Sequence, residues 1–124
     1  MLTYIVKVEN QEPGRSLSAV VIAAGDDLVV VVGGGERPHV GSTVIAQPCG
    51  QGREPSCSVM TIPPHKEEVI ARSVAVRLCA AFDRVVVVTA GVHEDDLDRA
   101  GIQEYLELAT RLEKKLAEEL RVHL

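Results

Sequence analysis

Apolar residues recur at every second position near the start of the chain, at Leu2, Tyr4, Val6 and Val8, the period of a strand with one face on a core. Residues 10–16, which include Pro13 and Gly14, read as a turn, and residues 17–24 as a second strand. Gly25-Asp26-Asp27 supplies the small residues and the tolerance of positive φ that a tight reversal needs, so residues 28–32 return antiparallel. Within them Val29, Val30, Val31 and Val32 abandon the alternation of a sheet with one wet face, and predict a central strand buried on both faces. Residues 33–41, GGGERPHVG, are too glycine-rich for regular structure, and residues 43–46 form a short fourth strand. A loop rich in Gly, Pro and charge runs to Pro55, and residues 56–62 make a fifth strand that Pro63-Pro64 ends. Residues 66–82 are helical by composition. Ile70, Val74, Leu78 and Ala81 share one face there, and Val69, Val76 and Ala80 make a second apolar stripe. A helix this apolar is covered on two sides, by the sheet plus the last helix or by a second subunit. Val85 to Val88 repeats the signature of a central strand. The acidic stretch from Glu94 to Asp98 suits a helix start, where carboxylates meet the positive end of the dipole. From about Arg99 the last helix turns Ile102, Tyr105, Ala109, Leu112, Leu116 and Leu120 to one side.

These elements predict an α+β fold, a mixed and mainly antiparallel sheet of about six strands with two helices. Connection lengths fix some directions. Strands three, four and five are joined by loops short enough for hairpins, and strands five and six by a helix, so three, five and six all run the same way. Their carboxyl ends therefore open on one edge, which carries residues 33–41, 63–66 and 89–93. Three of the four histidines, His39, His65 and His93, fall in those segments, while His123 sits at the terminus. Glycines that permit close backbone approach, a helix start and Lys66 in its first turn suit an anionic, phosphate-bearing ligand.

Composition narrows the function classes. A chain of 124 residues is one domain, 1–124, with 46% hydrophobic and 25% charged residues, the proportions of an ordinary globular protein. The net charge of −5 and a total of three aromatic residues, Tyr4, Phe82 and Tyr105, argue against nucleic acid as a partner. No apolar run is long enough to span a bilayer and no basic-then-apolar leader is visible, which predicts a cytoplasmic protein away from membranes. Cys49, Cys57 and Cys79 lack paired metal-type spacing and read as structural. A zinc site from His39, Cys49, Cys57 and His65 is chemically possible but has no such spacing to support it, so no metal is expected. Gly33, Gly35 and Pro38 do not complete GxGxxG, and GxxxxGK[ST] and GxSxG are both missing. Catalysis is not demanded by any motif. The enzymatic alternative is a small protein using His39, His65 or His93 as acid and base on a phosphorylated or carboxylated metabolite. A structural assembly factor is the third reading, suggested by the two-sided helix.

The runs VVVVGGGERPHVG, STVIAQP, PPHKEEVIARSVAVRLCAAF and VVVVTAGVHEDDL resemble the LpdD-like family over roughly residues 17–110. Pro38-His39-Gly41 with the preceding glycines, and Thr89-Ala90-Gly91 before His93, are the most specific pieces. The resemblance implies a noncatalytic accessory protein of UbiD-type decarboxylases such as gallate decarboxylase. Such a protein holds or delivers prenylated flavin mononucleotide (prenylated FMN) as cargo, with plain FMN as a second candidate, and its fold is similar to that of proteasome-assembly chaperones. It implies ligand contacts at Gly35, Pro38, His39, Gly41, His65, Lys66, Gly91 and His93. The flavin ring would have to lie on imidazole faces or on Val40 and Val92, because aromatic partners are scarce. The breadth of the apolar surface over residues 69–82 predicts a homodimer.

Overall fold

The computed structural model describes residues 3–9, 14–63 and 67–124. Eight elements follow in order: β1 (Thr3–Glu9), β2 (Ser16–Ala24), β3 (Asp27–Gly35), β4 (Ser42–Gln47), β5 (Ser56–Thr61), α1 (Glu68–Phe82), β6 (Val86–His93) and α2 (Arg99–Arg121). The strands form one mixed sheet in the order β1-β2-β3-β6-β4-β5. β3 and β6 pair in parallel, and the remaining neighbours are antiparallel. The two valine-rich strands are adjacent and central, and β3, β5 and β6 share one direction, as the connection lengths predict.

Three local expectations are corrected. First, β3 and β4 are not hairpin partners, because β6 lies between them; their opposite directions survive because the connecting loop arches over a single strand. Second, Gly33, Gly34 and Gly35 are strand, held in register opposite Gly91, Val92 and His93. β6 correspondingly runs five residues beyond Val88, the end of its valine run. Pairing with a long neighbour supplies backbone hydrogen bonds that override the weak strand propensity of glycine. Third, the valine runs are not buried on both faces within the chain. Both helices lie on one face, where a row in register across the sheet, Val21, Val30, Val88 and Val44, is buried. On the opposite face Val31 remains 43% exposed and Ile45 44%.

The core between sheet and helices is assembled from alternate strand positions, Val6, Leu17, Val30, Val32, Val44 and Val88 among them, packed against Ile70, Val74 and Leu78 of α1 and Leu108, Leu112 and Leu116 of α2. α1 rests on β4, β6 and β5 and α2 on β1 and β2, and the helices also touch each other. The apolar breadth of α1 is thus used mostly inside the chain: Ala71, Ala75 and Cys79 are buried beside Ile70, Val74 and Leu78, while Ala81 faces outward and Val69 is exposed. Asp98 caps α2, its carboxylate accepting from Gly101 N at 2.8 Å, which satisfies one donor that a helix start leaves unpaired. Asp83 ends α1 in the left-handed conformation, its N–H donating to the Cys79 carbonyl at 2.9 Å. Among the described residues, no helix is long and apolar enough to cross a membrane.

Candidate functional site

The chain leaves β3 at Gly35, which takes φ +74, and must cross β6 to enter β4. Residues 36–41 make that crossing pinned at both ends to β6: Glu36 N donates to His93 O at 2.6 Å, and Gly41 N to Ala90 O at 3.0 Å. The crossing lies over the helix-free face, where Gly33 and Gly91 stand side by side in adjacent strands. A Cβ on Gly91 would collide with the backbone of His39, and one on Gly33 would press against the Pro38 ring at 3.0 Å. The close approach that these glycines permit is therefore taken up by the protein's own histidine-bearing loop.

Glu67, immediately before α1, ties this loop to the helix side. Val92 N points sideways beyond the first residue of β4, and the Glu67 carboxylate takes the place of the missing strand, accepting from it at 3.2 Å. The same Oε1 lies 3.2 Å from His39 Nε2, and a Cβ on Gly41 would strike the Glu67 carboxylate. His39 Nδ1 lies 3.1 Å from the Arg37 carbonyl. The Arg37 carbonyl can only accept, so Nδ1 carries the proton in that bond. His39 and His93 meet edge to face with ring centroids 6.4 Å apart. His93 Nε2 lies 2.9 Å from an Arg37 guanidinium nitrogen and 2.8 Å from Asp95 Oδ1. One nitrogen cannot accept from Arg37 and donate to Asp95 at once, so the tautomer of His93 selects its partner. The bond from His93 holds the Asp95 carboxyl below its usual range.

Of the residues singled out from the sequence, Gly35, Pro38, His39, Gly41, Gly91 and His93 gather at this end of β3 and β6. His65 and Lys66 lie outside the described residues, as do Pro64 and residues 10–13 of the first turn. Sequence reasoning missed Glu67, Arg37 and Asp95. Glu67 reads in the sequence as one more solvated helix-start carboxylate, and only its burial marks it. Arg37 stands two residues before His39 and Asp95 two after His93, so a search for charge flanking the histidines would have found both. Val40 beside them is 55% exposed, and Ile62, whose N–H donates to Gly41 O at 2.8 Å, is 52% exposed. The edge thus offers a guanidinium and two imidazoles for an anion next to apolar surface for a flat ring.

Other charged clusters serve the frame. Arg15 binds Glu94 at 2.8 Å and Glu104 at 2.6 Å, and Tyr105 OH donates to Glu94 at 2.7 Å, joining the start of β2, the end of β6 and α2. An open groove of about 870 Å³ runs along the outer side of α1 past Val69, Arg72, Arg77 and Glu113, on the far side of the molecule's layers from the histidine loop. Cys49 is exposed and Cys79 buried, and burial pushes the Cys79 thiol up, the setting of an inert structural cysteine. Among the described residues, no three His, Cys, Asp or Glu side chains are grouped to hold a metal ion.

Comparison with solved structures shows the fold again. A chain from the crystal structure of a chaperone complex for yeast 20S proteasome assembly superposes with a TM-score of 0.62 at 17% identity, over 97% of this chain and 99% of that one. Protein LpdD of Lactiplantibacillus plantarum is 26% identical, across 91% of this chain and 83% of that protein. The model of the prenylated flavin chaperone LpdD-like domain matches residues 11–121. With nearly the whole sheet and both helices inside that match, the chain belongs to the LpdD-like chaperone family.

Proposed function

We propose that this protein is a noncatalytic carrier that binds prenylated FMN at the shared end of β3 and β6 and assists maturation of a UbiD-type decarboxylase. The observation that carries the reading is the convergence of Arg37, His39 and His93 on one edge, with the two rings 6.4 Å apart. Family membership supports a chaperone role, and the chemistry of the edge supports this cargo. Arg37 suits the phosphate, as does Lys66 by its sequence position, with the His39 and His93 rings beside them. Val40 and the imidazole faces offer the isoalloxazine ring contacts without aromatic stacking. Few stacking contacts fit a carrier that must release what it holds. For His39 the enzymatic alternative is weaker, because a general base needs a free ring nitrogen and both of its nitrogens face partners within the chain.

The test is gel filtration of the purified protein mixed with prenylated FMN and, separately, with FMN, reading the flavin absorbance that travels with the protein. Co-migration of the prenylated form is expected. Arg37→Ala and Lys66→Ala should each weaken it by about 10- to 100-fold, the range for losing a charge-assisted hydrogen bond, and His39→Ala should weaken it by removing a ring that the flavin lies against and by freeing the loop from Glu67. If neither flavin co-migrates, the carrier reading falls, and a bell-shaped pH profile of some turnover, lost on a single histidine substitution, would favour the enzyme instead.

A further inference from the structure

We infer that the open edge of β5 is a docking edge, which takes up one extended segment of a client polypeptide as a seventh strand. This deepens the chaperone reading by naming where the client is held, and it rests on that reading for the client's identity, a UbiD-type decarboxylase. β1 and β5 are the two edges of the sheet, and they are built differently. β1 is guarded: Lys7 and Glu9 stand in it, and α2 caps two of its outward carbonyls, Lys7 O accepting from Lys115 Nζ and Glu9 O from Arg111, both at 3.1 Å. β5, Ser56-Cys57-Ser58-Val59-Met60-Thr61, has no charged residue and no proline, and its register with β4 advances residue for residue without a bulge. Charge, proline and bulges are the devices that keep exposed edges from pairing, and β5 has none of them.

The register shows which groups the edge offers. Ile62 N donates to Gly41 O, and successive residues of an antiparallel strand point their N–H and C=O to opposite sides. Ser56, Ser58 and Met60 therefore bond β4, while Cys57, Val59 and Thr61 turn their N–H and C=O groups outward. Among the described residues, no side chain or loop bonds these outward groups. Such a row is complemented by another extended backbone, which makes the occupant a strand. Its composition follows from the flanks. Cys57 and Val59 face the helix side and pack partly on the core, and α1 lies against β5. Glu54, two residues before β5, shares with Val69, Val76 and Ala80 the lining of the open groove along α1. A strand added here sets every second side chain towards that groove, so the segment is apolar at alternate positions. Area decides against a second copy of this chain as a permanent occupant. Six residues make an edge about 20 Å long, and at about 10 Å deep it buries roughly 200 Å² per partner, far below the ~800 Å² per partner of a standard stable interface. So small a contact suits an enzyme that is engaged and then released.

The measurement is residue-resolved hydrogen exchange of the protein, alone and mixed with a UbiD-type decarboxylase purified without its flavin, alongside the affinity of the pair by titration calorimetry. The decarboxylase should slow exchange at the Cys57, Val59 and Thr61 amides by about tenfold or more. Val59→Pro removes an outward N–H without touching the bonds to β4, and should weaken the complex by about tenfold or more. Val59→Ala, which keeps that N–H, should bind nearly as the wild type does, and so should Ile5→Pro on the guarded edge. Thr61→Pro carries the test should circular dichroism show Val59→Pro unfolded, and the exchange of the wild type needs neither variant. A complex that leaves exchange along β5 unchanged, or that Val59→Pro forms as tightly as the wild type, would overturn the proposal. So would protection of the same amides on raising the protein's own concentration, which gives the edge to a second copy. Flavin co-migration is read separately. If it is absent while β5 is still protected, the cargo reading fails and the docking edge stands; if flavin co-migrates and no complex forms, the docking edge fails and the cargo reading stands.

Discussion

Substituting Gly91 with alanine would drive a methyl group into the backbone of His39. Because residues 36–41 are anchored at both ends, the loop cannot shift without losing hydrogen bonds to His93 O or Ala90 O. Gly91→Ala should therefore destabilise the fold by about 1–3 kcal/mol, the usual cost of overpacking, and also release His39 from Glu67. Urea unfolding measures the first effect, and the nuclear resonances of the His39 ring report the second. At the other end of the loop's support, Tyr105 offers a spectroscopic readout that its own substitution isolates from Tyr4, the only other tyrosine. Burial, and then the hydrogen bond to Glu94, push its phenol up to about 12, against about 10 in an unfolded chain. The folded state then keeps a proton that the unfolded state loses, so this group's contribution is intact below about pH 10 and is lost as pH rises toward 12. Glu94 works in the opposite sense: Arg15, and then Tyr105, hold its carboxyl below the ordinary value, and its contribution fades as pH falls through that depressed value. Spectrophotometric titration should show a tyrosinate step near pH 12 whose amplitude falls by one tyrosine in Tyr105→Phe.

At the scale of elements, the ends of β6 and α2 fix where the candidate site sits. Asp98 closes the first turn of α2, and the Arg15–Glu94–Tyr105 network holds the segment after His93 against that helix. Asp98→Ala should cost about 1 kcal/mol of stability, the typical loss of an N-cap, read as a lowered melting temperature with flavin binding unchanged. The two helices are joined by polar contacts as well as by core packing, since Ser73 of α1 donates to the buried Glu113 of α2 and Arg77 lies 3.8 Å from it. At the chain's other extreme, the ring of His123 meets Tyr4 edge-on at 4.6 Å, tying the C-terminus to β1.

At the scale of the molecule, the layers divide the labour. One face of the sheet is spent on the helices and on stability, one edge gathers arginine and histidine, and the other face is left without a helix. The loop that carries His39 lies over that bare face at one end.

The sequence by itself determined each strand and helix to within a few residues, the common direction of β3, β5 and β6, and the edge on which the histidine-bearing segments gather. Those features follow from local periodicity, from turn chemistry and from the length of connections, all of which are properties of neighbouring residues. Only the tertiary structure decided that β6 enters between β3 and β4, that glycines 33–35 are strand, and that Gly33 and Gly91 form the shelf beneath the loop. It alone turned Glu67 from a solvated helix-start carboxylate into the buried partner of His39 and Val92. These outcomes depend on which strand pairs with which and in what register, choices made between segments tens of residues apart that no local period encodes. The bare sheet face shows both levels at once: the valines predicted burial on both sides, and the placement of two helices on the same side left one of them open.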